Sequence, residues 1–88
     1  MAARDEDPAS QRLMRPLKRS FAIKGHRTSI SMEAPFWEAL QQAAALEKST
    51  LAGLVATIDE SRGDAGLSSA VRVWILDYFR KRALPTAR

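Results

Sequence analysis

The side chains that could carry out catalysis or bind a metal ion are few in this chain. It contains no cysteine and a single histidine, His26, which excludes thiol chemistry and cysteine–histidine metal sites. Asp59 and Glu60 are neighbours in sequence, and adjacent residues on a helix point in different directions, so they make a poor acid–base pair. We therefore expect no enzyme and no metal or cofactor site, and we expect His26 to be a turn residue.

The charged side chains have an uneven distribution along the chain. Six bases with no acid among them lie between residues 12 and 27: Arg12, Arg15, Lys18, Arg19, Lys24 and Arg27. From Thr28 to Phe79 acids outnumber bases, and the chain then ends in a second basic stretch. A basic segment ahead of an acidic-to-neutral body is typical of a protein that binds a polyanion.

The elements that would position these bases begin with a period-two pattern from Ser20 to Met32, which predicts strands. Gly25-His26 suits a two-residue type II′ turn, in which Ile23 would face Thr28 and Phe21 would face Ile30. One bent strand is the alternative to this hairpin. In either case the large side chains share one face, and the other face holds Ala22, Lys24, Arg27, Ser29 and Ser31.

Three helices should follow the hairpin, so the fold class is α+β. Helix A is predicted from Ala34 to Lys48 with Pro35 in its first turn, and helix B from Leu51 to Arg62 with Thr50 as its N-cap. Helix C should reach from a cap at Ser68 or Ser69 to Arg82. The predicted domain covers residues 18–83, between a disordered arm at 1–17 and a tail at 84–88.

The size and the termini limit how the chain is stabilised and where it is found. A chain of 88 residues without disulfides buries a small core, so a partner subunit is the expected stabiliser. No stretch is apolar enough to span a membrane, and the polar start of the chain does not look like a secretion signal. We therefore expect a cytoplasmic protein.

The order strand, helix, short connection, helix carries a family resemblance. It is found in Arg27-Thr28-Ser29-Ile30-Ser31-Met32, in Glu33-Ala34-Pro35 and in Ser49-Thr50-Leu51. In these segments the chain resembles the ribbon-helix-helix proteins, the Arc- and Met-repressor-like DNA-binding family. Gly25 to Met32, Phe36-Trp37 and Leu67-Ser68-Ser69-Ala70 further resemble a bacterial subgroup with an added C-terminal helix.

The resemblance implies an intertwined homodimer whose two central strands form a ribbon in the DNA major groove. It implies base reading by Arg27, Ser29 and Ser31 and a role as a transcriptional regulator, such as a repressor. The implied phosphate contacts are Lys18, Arg19, Lys24, Thr50, Leu51 and Ala52. The apolar residues of the shared dimer core would be Ile30, Met32, Phe36, Leu40, Leu54, Val55 and Ile58.

Two features of the sequence depart from the family pattern. The connection between helices A and B is Glu47-Lys48-Ser49, where the family commonly has glycine. An extra strand at residues 20–24 would make the dimer sheet four-stranded and, at about 4.8 Å per strand, wider than a major groove of about 12 Å. Either the outer strands stay above the DNA backbone, or the sheet serves another purpose.

The alternative function is a dimeric protein-interaction module, an antitoxin or an adaptor. In that case the ribbon would be only the dimer seam, and helix C with the basic tail would bind a second protein. The aromatic face of helix C, formed by Trp74, Tyr78 and Phe79, is expected to pack on helices A and B. Exposed, it would be the surface for that second protein.

Overall fold

The computed structural model describes residues 14–83, and it contains a β-hairpin followed by three helices. Strands β1 (Pro16–Ile23) and β2 (His26–Glu33) form a two-stranded antiparallel sheet. Helices α1 (Ala34–Leu46), α2 (Leu51–Ser61) and α3 (Leu67–Ala83) pack beneath it. The α+β fold class and the hairpin are confirmed. β1 begins two residues before the predicted domain start, and the predictions for residues 1–13 and 84–88 lie outside the described residues.

The hairpin turn is formed by Lys24 and Gly25, one position earlier than predicted. Both residues have positive φ angles, 51° and 82°, as a type I′ turn requires. Ile23 therefore pairs with His26, and Phe21 pairs with Thr28, so the predicted type II′ turn and its residue pairs are wrong. The predicted faces are nevertheless confirmed, because moving the turn by one position shifts each opposed pair by two residues, which leaves the alternation of faces unchanged.

Helix ends are set by backbone geometry at two short connections, one between α1 and α2 and one between α2 and α3. Lys48, predicted as the last residue of the first helix, has a φ of 55° and ends α1 in the left-handed conformation instead. Thr50 is the N-cap of α2, as predicted, since its Oγ1 accepts a hydrogen bond of 2.9 Å from the backbone N–H of Gly53. The predicted caps of α3 are wrong: the helix begins at Leu67, and its first carbonyl acceptor is Gly66, bonded by the N–H of Ala70.

The core lies between the inner face of the hairpin and all three helices. It contains no buried polar side chain among the described residues, and its members are Ile23, Ile30, Met32, Trp37, Leu40, Ala43, Ala44, Leu54, Val55, Ile58, Val71 and Ile75. Trp37, only 2% exposed, is buried on α1 where Phe36 was predicted. Its indole N–H donates to the carbonyl of Leu17 at 3.0 Å, and its ring stacks on Phe21.

The seven residues predicted for a shared dimer core have two different environments. Six of them are buried within one chain: Ile30, Met32, Leu40, Leu54, Val55 and Ile58. Phe36 is half-buried at the rim. Their burial in a single chain is supported by α3, whose Val71 and Ile75 complete the core, while Trp74, Tyr78 and Phe79 pack against it in part.

None of the helices in residues 14–83 has the length and apolar character that crossing a membrane would require.

Candidate nucleic-acid interface

The outer face of the hairpin brings together the three residues predicted to read bases. Arg27, Ser29 and Ser31 alternate along β2, and the strand pairing sets them opposite Ala22, Ser20 and Lys18 of β1. Five of the six are exposed, and Ser31 is half-buried. The hydroxyl groups of Ser20 and Ser29 are 3.3 Å apart. The face therefore carries two cations and a row of small hydroxyl side chains that can donate or accept hydrogen bonds.

The electrostatics of this face are set by one ion pair. Glu33 is the single acid in either strand, and Nη2 of Arg72 binds both of its carboxylate oxygens, at 2.9 and 3.1 Å. A hydrogen bond from its own backbone N–H and those from Arg72 lower the pKa of Glu33 from its ordinary value. Its negative charge is thus compensated by α3, and the strands present positive charge outward.

The residues predicted to contact phosphate do not form one surface. Lys18 lies on the outer face, but Arg19 lies on the inner side, with its guanidinium 5.1 Å from the centre of the Trp37 ring. Lys24 sits in the turn, where its ammonium group is 2.8 Å from a carboxylate oxygen of Glu60. The hydrogen bond and the negative charge of Glu60 raise the pKa of Lys24.

The start of α2 holds the other predicted phosphate residues, Thr50, Leu51 and Ala52. Thr50 caps the helix, and Gly53 gives the cap its room, because a Cβ at residue 53 would lie 2.9 Å from the Thr50 hydroxyl oxygen. Glu60, the ion-pair partner of Lys24, lies ten residues after Thr50, which is about 15 Å along the axis of α2. The structure therefore separates the α2 start from the hairpin turn.

A cluster that the sequence did not reveal lies beside the α1–α2 connection. The Tyr78 hydroxyl donates to Oε2 of Glu47 at 2.6 Å, and this bond is the main cause of the raised pKa of Tyr78. The Arg82 guanidinium lies 5.3 Å from the centre of the Tyr78 ring. The spacing of Tyr78 and Arg82 on one helix face was visible in the sequence, but their contact with residue 47 depends on how α3 packs.

The edge of β2 that faces away from β1 carries backbone groups that β1 does not pair. In an antiparallel pair, alternate residues direct their backbone groups away from the neighbouring strand. Here Arg27, Ser29 and Ser31 do so, since the turn is closed by Ile23 and His26. The N–H of Ser31 is bound by the Ser68 hydroxyl of α3 at 3.3 Å. Within residues 14–83 no third strand joins the sheet, so Arg27 and Ser29 lie on an open edge.

Comparisons with known proteins place the chain among related domains. A solved structure of an uncharacterized protein from Bordetella pertussis Tohama I is similar to this chain with a TM-score of 0.73 and 29% sequence identity; the alignment covers 98% of this chain and 77% of that one. A search of curated proteins found no match. The ribbon-helix-helix domain model matches residues 16–79. The chain therefore belongs to the ribbon-helix-helix domain family, whose members are generally DNA-binding and typically not enzymes.

Proposed function

We propose that this protein binds double-stranded DNA as a homodimer, reads bases with the outer face of β2, and regulates transcription in the bacterial cytoplasm. The observation that carries the proposal is the row formed by Arg27, Ser29 and the half-buried Ser31 on the outer face of a hairpin whose one acid is neutralised. An arginine guanidinium makes two parallel hydrogen bonds to O6 and N7 of guanine, and a serine hydroxyl donates or accepts at other bases.

The dimer would form at the open edge of β2. Two copies of the strand pair antiparallel about a two-fold axis, and each satisfies the backbone groups of the other. The bond from Ser31 to Ser68 occupies one end of this edge. The backbone hydrogen bonds between the two β2 strands would therefore be centred on the segment from Arg27 to Ser29. This segment also carries the side chains that would read the bases.

The width of the resulting four-stranded sheet is accommodated by the side chains of β1. Four strands at about 4.8 Å spacing exceed a groove of about 12 Å, so only the two β2 strands enter it. Opposite the central residues of β2, β1 presents only Ser20 and Ala22. Such small side chains let the outer strands lie close above the DNA backbone, where Lys18 reaches a phosphate.

The remaining phosphate contacts would come from the start of α2. Its first N–H groups, at Leu51 and Ala52 next to the Thr50 cap, lack carbonyl partners within the helix and attract an anion. Glu47, the acid nearest to this site in sequence, is held by Tyr78. Arg19 and Lys24 would add contacts from the flanks only after they release Trp37 and Glu60.

The test is the substitution Arg27→Ala, measured on the DNA site of highest affinity and on random DNA. Loss of the guanine contact should lower specific affinity by about 1–3 kcal/mol per contact and leave nonspecific affinity nearly unchanged. Ser29→Ala and Ser31→Ala should cause smaller losses of the same kind. Thermal unfolding should be unaffected, because all three side chains lie outside the core. Unchanged specific affinity in all three variants would contradict the proposal.

A further inference from the structure

Helix α3 is apolar on two sides. Val71 and Ile75 face the core of its own chain. Val73 and Leu76 lie three residues apart on another side and are 66% and 56% exposed. The side of a surface helix that faces water is typically polar. Val73 and Leu76 are therefore apolar side chains on a side of α3 that no other part of residues 14–83 covers.

These two residues belong to a groove between α3 and the start of α1. The groove has a volume of about 340 Å³, and its lining is almost entirely apolar. Phe36 of α1 forms one wall, and Leu76 and Phe79 of α3 form the other. Phe36 is the residue predicted for a dimer core that a single chain leaves half-buried.

The one charged side chain that lines the groove is paired within the chain. Arg72, the one charged residue in its lining, binds Glu33 and lies over the Phe36 ring at 5.6 Å. Asp77 and Lys81, on the same helix, form an ion pair at 3.0 Å. The lining of the groove therefore has no unpaired charge with which to select an acidic or basic ligand. It favours an apolar partner of balanced charge.

The groove also adjoins the open edge of β2. Two contacts fix α3 along that strand: Ser68 to Ser31 and Arg72 to Glu33. A partner that covers both features must supply a strand for the edge and an apolar helix side for the groove. A second copy of this chain supplies both. In a two-fold dimer the same patch of each chain forms the interface, so the strand edge and the groove of one chain meet the strand edge and the groove of the other.

We infer that the groove formed by Phe36, Val73, Leu76 and Phe79 is a contact surface for a second copy of the chain, continuous with the pairing of the two β2 strands. This inference rests on the homodimer in the proposed function and adds a second contact region, provided by α3. The added helix thus has two roles: Val71 and Ile75 complete the core of one chain, and Val73 and Leu76 bind the other.

The first experiment is equilibrium sedimentation of the full chain, without DNA, over a range of micromolar concentrations. The wild type should be a dimer, and Leu76→Glu and Val73→Glu should each weaken its association at least tenfold, since a carboxylate would be buried in an apolar contact. Leu46→Glu is the matched control, because Leu46 is 50% exposed on α1 and lies outside the groove. It should associate as the wild type does. Circular dichroism establishes that each variant is folded.

The second experiment uses the absence of cysteine from the chain. In the Leu76→Cys variant the single thiol should react with a thiol reagent more slowly as the protein concentration rises through the association range. In the Leu46→Cys variant the reaction rate should not depend on concentration. This measurement gives an answer even where a glutamate at residue 76 or 73 prevents folding.

The outcomes separate the inference from the proposed function. A monomeric wild type overturns the inference. So does a dimer that Leu76→Glu and Val73→Glu leave intact, with reaction rates of both thiols that do not depend on concentration. In the latter case DNA binding that depends on Arg27 would still support the proposed function. Weakened association in the groove variants, with no specific DNA binding by the wild type, would support the inference and contradict the function.

Discussion

Glu33 shows how one residue joins the strand face to the added helix. It is the last residue of β2 and the N-cap residue of α1, and its carboxylate binds Arg72 of α3. Loss of this ion pair would leave a free negative charge at the end of the face that we propose for DNA. The pair therefore links stability to the electrostatics of the site, and its contribution depends on pH.

The pH dependence of Glu33 follows from the sign of its shift. Its pKa is lower in the folded chain than its ordinary value of 4.5, so its stabilising effect is present above that value and is lost as the pH falls through the folded pKa. Glu33→Gln should therefore make the free energy of unfolding less sensitive to pH below about 5. Urea unfolding at a series of pH values measures this. An acid dependence of Glu33→Gln equal to that of the wild type would contradict the role of this ion pair.

At the scale of elements, the sequence predicted the order and type of each strand and helix, because period-two and helical patterns are local signals. The sequence predicted the turn at the wrong position because Lys24 has a left-handed backbone conformation. Lysine rarely adopts this conformation, and no local pattern in the sequence indicates it. The sequence also placed Phe36 in the core where Trp37 lies, because that choice depends on the long-range bond from the indole to Leu17. The contacts of Glu47 and Arg72 with their partners are likewise set by how α3 packs.

The α1–α2 connection shows a departure from the family pattern that the backbone absorbs. The N–H of Ser49 bonds to the carbonyl of Ala44 at 2.8 Å, and that of Lys48 bonds to Ala45 at 3.1 Å. These are the two bonds of a Schellman motif, in which Lys48 occupies the left-handed position that favours glycine. The geometry that glycine commonly provides in the family is kept here, with lysine in its place.

Lys48→Gly should therefore stabilise the protein. Removing the Cβ from a left-handed residue removes a steric cost of about 1–2 kcal/mol from the folded state. The greater conformational freedom of glycine in the unfolded chain offsets about 0.5–1 kcal/mol of this gain. We expect a net gain in the free energy of unfolding of about 0.5–1 kcal/mol, measured by urea denaturation. Gln42→Gly is the control: its residue is exposed within α1, and the same change there should destabilise by about 0.5–1 kcal/mol. A loss of stability in Lys48→Gly would contradict the left-handed conformation.

For the whole molecule, the sequence predicted a basic N-terminal segment but not how its charges divide among surfaces. The strand pairing sends Lys18 to the outer face and Arg19 to the inner side, although they are neighbours in sequence. The predicted strand pattern begins at Ser20, so the alternation that separates these two residues is not applied to them. The pattern also does not predict that Trp37 binds the guanidinium on the inner side. The outer face that we propose for DNA therefore contains fewer of these bases than the charge run suggests.

This division gives a prediction about the salt dependence of DNA binding. Each phosphate contact contributes about 0.9 to the slope of log affinity against log salt concentration, so Lys18→Ala should reduce the slope by about 1.8 in a dimer that uses both copies. Arg19→Ala, which changes the same net charge on the adjacent residue, should leave the slope nearly unchanged because its guanidinium lies on Trp37. Fluorescence anisotropy with random DNA at several salt concentrations measures both. Equal changes of the slope in the two variants would mean that long-range charge, rather than direct contact, governs binding. A change of the slope by about 0.9 for Lys18→Ala would mean that Lys18 of one copy alone contacts the DNA backbone.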